Sequence, residues 1–260
     1  MVKPKRERAN TVAYGVQRGY PPYSLRQSRY HALAETIAAY CDRREGTLRL
    51  LDVGVGHGAS RIYLEAHPCA ERIDFHGADI FPRGEEYVHK HRDWTFYTCN
   101  LEDGLKGIAS DQFDVVICEQ VVEHVHNAPH AIRELARVLK PDGLAVIGVP
   151  IFPEGLHLVR RHVVPMLDSL TKKRRGHVQA FSKRTFVNLM RSGGFEVQKT
   201  RGFRIISGGP LRPLEHYRWW WRLNRTLGAM APSLCVEVQA IATKAKASEA
   251  TSADTTRRAA

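Results

Sequence analysis

The residues whose types and spacing carry most chemistry run Leu50-Leu51-Asp52-Val53-Gly54-Val55-Gly56-His57-Gly58. Leu48–Val53 reads as a short apolar strand and Ala59–Ala66 as a helix, so the three glycines fall where one becomes the other. Glycine adopts positive φ without penalty and lets backbone come close to a ligand. A helix N-terminus adds N–H groups with no partner inside the helix. Asp79 ends a second strand, in Gly77-Ala78-Asp79-Ile80. A carboxylate there suits the two ribose hydroxyls of a nucleoside. Asn100-Leu101-Glu102 follows a third strand and offers a polar edge and an apolar face to an adenine. Glu119 and Gln120 end a fourth strand, and Val122-Glu123-His124-Val125 comes directly after. Taken alone, Gly54-x-Gly56-x-x-Ala59 also fits a dinucleotide fingerprint.

These residues need a scaffold, and the alternation of patterns supplies one. Strands are expected at Leu48–Val53, Ile73–Ile80, Thr95–Thr98, Phe113–Cys118, Leu144–Val149, Phe195–Thr200 and Cys235–Thr243. Helices are expected from a Ser24 cap to about Arg44, at Ala59–Ala66, near Gly84–His91, at Ala128–Leu139 and at Ser182–Arg191. Lys140-Pro141-Asp142-Gly143 reads as the stop of the fourth of these helices. Strand–helix alternation with continuous apolar strands implies a parallel sheet covered on both faces, an α/β fold. Residues 1–23 read as a flexible basic arm, 24–243 as one domain and 244–260 as a disordered tail.

Charge divides the chain. Residues 46–150 hold 10 Lys/Arg against 16 Asp/Glu, while the whole chain is +12, so a central acidic module sits inside basic flanks. Arg160, Arg161, Lys172, Lys173, Arg174, Arg175, Lys183 and Arg184 face a single acid, Asp168, in residues 157–184. Tyr217-Arg218-Trp219-Trp220-Trp221-Arg222 mixes aromatics with arginine. Such a segment stacks nucleic-acid bases, lies at a membrane interface or packs onto the sheet, and packing is the common case. No run of eighteen apolar residues is present, and no apolar stretch follows the basic N-terminus, so neither a membrane span nor a secretory signal is expected. Five scattered cysteines without a Cys-x-x-Cys pair read as reduced thiols of a cytoplasmic protein.

In this order and spacing, the glycine loop, Asp79, Asn100-Leu101, Phe113–Glu119 and Leu135–Gly143 resemble the class I S-adenosylmethionine-dependent methyltransferases. The likeness is strongest to the group that holds ubiquinone- and menaquinone-biosynthesis enzymes. It covers residues 48–150 and continues loosely through His177–Ser182 and Gly193–Val197. It implies a Rossmann-like sheet of seven strands, the last antiparallel, with an N-terminal helical extension. Residues 151–180 and 207–232, Arg-rich and inserted after strand ends, are expected to form a basic cap over the crevice. S-adenosyl-L-methionine is the implied cofactor. By that resemblance Gly54, Gly56 and Gly58 lie under the methionine part with Asp52 beneath them. Asp79 holds the ribose, beside Ile80; Asn100 and Leu101 contact adenine, although the family often has Asp where Asn100 stands. Glu119 faces the methyl donor.

Some relatives hold a divalent metal through Glu-x-x-Glu-His. Here Gln120 takes the first position before Glu123 and His124, so no metal is expected. A protonated acceptor needs a base, and His177 and His124 are the expected catalytic residues, with His126 a further candidate. The expected reaction is O-methylation of a small anionic or lipid-linked metabolite, its anionic group met by arginines of the cap. An RNA- or protein-directed methyltransferase, a nicotinamide-dependent oxidoreductase and a non-catalytic cofactor-binding subunit remain as alternatives, with nucleic acid or a membrane surface as further partners.

Overall fold

The computed structural model describes residues 23–56, 58–80, 94–154, 178–205 and 209–246. Residues 1–22 of the expected arm, residues 247–260 of the expected tail, the helix near Gly84–His91, His177 and the arginines of residues 157–175 lie outside these segments, whereas Lys244, expected in the tail, ends the last strand.

Seven strands form one sheet: β1 (Leu48–Val53), β2 (Ile73–Asp79), β3 (Thr95–Thr98), β4 (Phe113–Glu119), β5 (Leu139–Pro150), β6 (Phe195–Phe203) and β7 (Glu237–Lys244). Their order is β3-β2-β1-β4-β5-β7-β6. β1 to β5 pair in parallel, and β7 runs antiparallel between β5 and β6. The chain builds outward from β1 to β3 and then returns to lay β4 on the other side of β1. That reversal opens a crevice beyond the carboxyl ends of β1 and β4, the usual ligand position in open α/β sheets.

The two-residue period of a strand sorts the core. Leu51, Val53, Val116, Cys118, Ala145, Ile147 and Val149 share an apolar cluster with Ala131, Ile132 and Leu135 of α3 (Ala128–Val138) and Phe186 and Met190 of α4 (Lys183–Ser192). Leu48, Leu50, Val115, Ile117, Leu144 and Val146 share the other with Leu33, Ile37 and Cys41 of α1 (Ser28–Cys41) and Tyr63 and Leu64 of α2 (Ala59–Leu64). All five cysteines are free, and only Cys99 is less than fully buried. No helix among the described residues is long and apolar enough to cross a membrane.

Two local expectations are corrected. Ser24 does not cap α1. The Leu25 side chain is buried with Trp220 and Trp221, and its N–H donates to Glu215 Oε2 at 3.2 Å, so residues 24–27 turn and the helix starts at Ser28. Lys140–Gly143 are not a free helix stop. β5 already begins at Leu139, which pairs with Phe113; the next four residues bulge, and pairing resumes at Val115 with Leu144. Of the expected cap, residues 209–216 form a 3-10 segment that leads into α5 (Arg218–Met230). Gly228 of α5 packs so closely on the Gly202 carbonyl of β6 that a Cβ there would overlap it.

Candidate active site

The glycine loop takes the shape its composition suggests. Gly54, Gly56 and Gly58 all have positive φ, at 77°, 51° and 67°. Gly54 donates to Ala78 O at 2.7 Å, which ties the loop to the end of β2. A Cβ on Gly54 would overlap Val121 Cγ2, so glycine is required there both by φ and by space. Gly56 N–H donates to Asp79 Oδ2 at 3.0 Å. Gly58, in the left-handed region, starts α2. From the first turn of α2, Ser60 Oγ donates to Asp52 Oδ2. Asp52 is buried, and burial, helped by Asp79 and opposed by Ser60, pushes its carboxyl up to about 6.

Beyond Asp79, Ile80 is 52% exposed, an apolar side chain held at the crevice edge. Asn100 Oδ1 accepts from Glu102 N–H at 3.0 Å and so caps the short 3-10 turn Leu101–Asp103. Leu101 is buried in the larger apolar cluster. The Glu102 carboxylate accepts from the N–H groups of His126 and Asn127 at 2.7 and 2.9 Å, which joins this turn to the loop after β4.

Glu119 lies across the sheet. It pairs with Gly148 of β5, and Gly148 pairs in turn with Gln239 of β7. Gly148 has no side chain, so the Glu119 carboxylate passes over it and Oε1 accepts from Gln239 Nε2 at 2.8 Å. A Cβ on Gly148 would come within 2.5 Å of both carboxylate oxygens. The other oxygen faces Arg29 Nε at 3.6 Å. Arg29, from the first turn of α1, also donates to Glu237 Oε2 at 2.9 Å, and Arg204 donates to Glu237 Oε1 at 2.5 Å. The guanidinium of Arg29 sits over the Tyr30 ring, 4.7 Å from its centroid, and Tyr30 stacks on Tyr63. Burial alone would lower the Arg29 pKa, but Glu237, Tyr30 and Glu119 outweigh it and raise it.

Glu123 completes the group. It is 1% exposed, and neither carboxylate oxygen accepts a hydrogen bond from a described residue. His124 Nε2 stands 3.9 Å from it, with the imidazole 45% exposed. Burial pushes Glu119 up to about 8 against the pull of Arg29 and Gln239, with Glu237 and Asp52 adding to the rise. It pushes Glu123 up to about 7. Asp52, Glu119, Glu123 and Glu237 are all buried, with Glu119 facing Arg29 and Glu237 pairing with both Arg29 and Arg204, so the described site is acidic. The described arginines of residues 201–225 whose partners are resolved turn to the protein itself. Arg201 donates to Ala32 O and Thr36, Arg204 to Glu237, and Arg225 to Glu35.

A pH dependence follows. A carboxyl whose folded pKa is raised stabilises the fold in its protonated form. That contribution is complete below the ordinary carboxylate range and is lost as pH rises through the folded value. Asp52, Glu123 and Glu119 therefore all give up stability as pH rises above the ordinary carboxylate range, and each loss is complete once pH passes the folded value, about 6, 7 and 8 respectively. Scanning calorimetry is expected to show the melting temperature falling from about pH 4.5 to about pH 8 and levelling above that, and Glu119→Gln is expected to flatten the slope most clearly between about pH 7 and 8, where Glu119 alone still titrates. An identical slope in the variant would remove Glu119 from the account.

The structure thus brings Asp52, Gly54, Gly56, Gly58 and Asp79 together, with Ile80 beside them and Asn100 on the next turn. Glu119 is tied to β7 rather than left open. His124 lies at the rim, His126 is more exposed still, and His177 lies outside the described residues. Arg29, Glu237 and Gln239 were not picked out from the sequence. A signal existed: Glu237 and Gln239 are polar residues at strand spacing in a strand with neighbours on both sides, and buried polar groups need partners. A groove of about 990 Å³ beside Tyr40, Asp114, Asp142 and Thr243 lies at the amino ends of the strands, away from this site. Among the described residues, no group of three or more His, Cys, Asp or Glu is poised to hold a metal.

Comparison with known proteins agrees with this geometry. A family model described as a methyltransferase domain matches residues 25–200. The ubiquinone biosynthesis O-methyltransferase of Rickettsia akari is 31% identical over 121 residues, 46% of this chain and 47% of that protein. The chain thus spans about half the length of the curated relatives it matches. Among solved structures, the Burkholderia thailandensis 1,6-didemethyltoxoflavin-N1-methyltransferase with bound 1,6-didemethyltoxoflavin and S-adenosylhomocysteine superposes with a TM-score of 0.53 at 14% identity. That match covers 85% of this chain and 80% of the other. The [4+2]-cyclase SpnF gives 0.53 at 18% identity over 92% of each chain, a likeness of fold across different named reactions. On the family match and the β3-β2-β1-β4-β5-β7-β6 sheet, the chain belongs to the methyltransferase-domain family and has the fold of the class I S-adenosylmethionine-dependent methyltransferases.

Proposed function

We propose that this protein transfers a methyl group from S-adenosylmethionine to an oxygen atom of a small acceptor, anionic or lipid-linked. The observation that carries the reading is the loop of three left-handed glycines with Asp79 fastened to Gly56. The residues present fit the cofactor: among the described residues a Cβ on Gly56 would meet no side chain within 4 Å, and the carboxyl groups of Asp52, Glu119 and Glu123 suit a cationic ligand. S-adenosylmethionine supplies a sulfonium whose methyl is already activated toward displacement. What remains for the chain is to bind, orient and exclude water, and orientation of this kind accounts for ~7–11 kcal/mol of a barrier.

In this reading Gly54, Gly56 and Gly58 hold the methionine part, and Asp52 orders the loop through Ser60. Asp79 receives the ribose hydroxyls, Ile80 covers one face of the adenine, and Asn100 with the backbone of Leu101 meets its edge. Glu119 stands behind the donor, where the positive charge of a bound sulfonium favours its ionised form. His124, exposed at the rim, takes a proton from the acceptor hydroxyl, and His177 remains a second candidate for that step. The anionic or lipid-linked acceptor is supported by the basic flanks and by the named reaction of the curated relatives. Incubation with isotope-labelled methyl donor and a panel of phenols and hydroxy acids is expected to yield a labelled ether or ester, unchanged by chelator because Gln120 replaces the first carboxylate of the metal frame. Transfer abolished by chelation and restored by magnesium would contradict the site as drawn.

A further inference from the structure

The outward face of α5 is apolar where a helix on a protein surface is ordinarily polar. Trp220, Asn224 and Gly228 recur at i, i+4 and i+8 and are the buried face. On the opposite face Trp219, Leu223 and Met230 are 56%, 39% and 76% exposed. At 100° per residue their directions fall within about 40° of one another, so they form a single stripe. Tyr217, before the helix, and Leu234 and Val236, after it, add further exposed apolar surface. Seven of the nine exposed large apolar side chains among the described residues fall between Leu211 and Val236, a concentration rather than the usual scatter.

The charge beside the stripe indicates what covers it. From His216 to Val236 the chain carries Arg218, Arg222 and Arg225 and no acid. Arg225 is taken by Glu35. Arg218 and Arg222 are exposed and stand one turn apart along one margin of the stripe. Aromatic and aliphatic side chains bordered by arginine fit a bilayer surface, where rings sit at the headgroup level and cations meet lipid phosphates. A second copy of the chain docked by twofold symmetry would set the same arginines against each other. We propose that α5 docks this protein on an anionic lipid surface, with Trp219, Leu223 and Met230 entering the acyl boundary and Arg218 and Arg222 at the headgroups. α5 rests on Gly202, next to the Phe203–Glu237 pair, so docking sets the carboxyl ends of the strands near the bilayer. The proposal does not depend on which acceptor is methylated.

Sedimentation of the 260-residue chain with vesicles tests this. Phosphatidylcholine vesicles carrying phosphatidylglycerol are expected to bring the protein down, and pure phosphatidylcholine vesicles to leave it in solution. Trp219→Ser combined with Leu223→Ser keeps every charge and is expected to lower the partition coefficient at least about tenfold. Brominated lipid in the anionic vesicles is expected to quench the tryptophan fluorescence of the unmodified chain, a readout that needs no variant. Equal partitioning of the double variant would assign binding to diffuse positive charge and overturn the proposal. So would absence of sedimentation and quenching. A dimer that the double variant dissociates, with no vesicle binding, would make the stripe a contact between copies and overturn it as well.

Discussion

Gly54→Ala is expected to lower affinity for S-adenosylmethionine by at least about thirtyfold, ~2 kcal/mol. Two separate costs contribute. Gly54 has φ of 77°, and an L-residue there loses about 1–2 kcal/mol. Its Cβ would also overlap Val121 Cγ2, and an overpacked contact costs about 1–3 kcal/mol. The loop escapes both by shifting, which pulls Gly54 from Ala78 O and Gly56 from Asp79. Val121→Ala opens the space and leaves the φ penalty. The pair Gly54→Ala/Val121→Ala is therefore expected to recover part of the lost affinity, a coupling of about 0.5–3 kcal/mol by calorimetry on the four proteins. Strict additivity would show that Val121 is not the obstacle, and wild-type affinity in Gly54→Ala would remove the loop from the binding account.

Glu237→Ala is expected to have the largest effect on stability. Glu237 is buried and accepts from both Arg29 and Arg204. Removing it leaves two largely buried guanidinium groups facing each other without their shared acid, and breaking a buried pair in this way costs about 3–5 kcal/mol. For a chain of this size that lowers the melting temperature by about 6–20 °C. Glu119 remains 3.6 Å from Arg29 and takes over part of the pairing, which favours the lower half of that range. A loss under about 2 °C would mean that water or a rearranged Glu119 replaces Glu237 at no cost.

These residues also mark how far the sequence could be read. The strand–glycine–helix motif, Asp79 and the positions of the seven strands were legible because each depends on local pattern: an apolar strand run, φ permission at glycine and an acid at a strand end. The antiparallel last strand was implied only by the family resemblance, and the strand order came from the structure. The bulge at Lys140–Gly143 was not legible. Its Pro-Asp-Gly composition fits a turn outside a strand equally well, and pairing of Leu139 with Phe113 decides the matter. The start of α1 was misplaced because Leu25 is held by Trp220, Trp221 and Glu215, about 190 residues away in sequence. The Arg29–Glu119–Glu237–Gln239 group has the same cause. It joins α1, β4 and β7, and only the antiparallel placement of β7 beside β5 lets Glu119 reach Gln239 over Gly148. Sequence pattern speaks to which face a residue takes, and much less to which distant partner meets it there.

Binding of the cofactor tests the central claim most directly. Isothermal calorimetry of the purified chain with S-adenosylhomocysteine, at fixed pH, is expected to show one site, and Asp79→Ala is expected to weaken it at least about tenfold, ~1.4 kcal/mol. Asp79 loses two roles in that variant: its bond from Gly56 N–H and the acceptor proposed for the ribose. Asp79→Asn keeps an oxygen for Gly56 and is expected to fall between the two. No heat of binding to the unmodified chain, or an unchanged affinity in Asp79→Ala with its fold intact, would contradict the assignment of this crevice to S-adenosylmethionine.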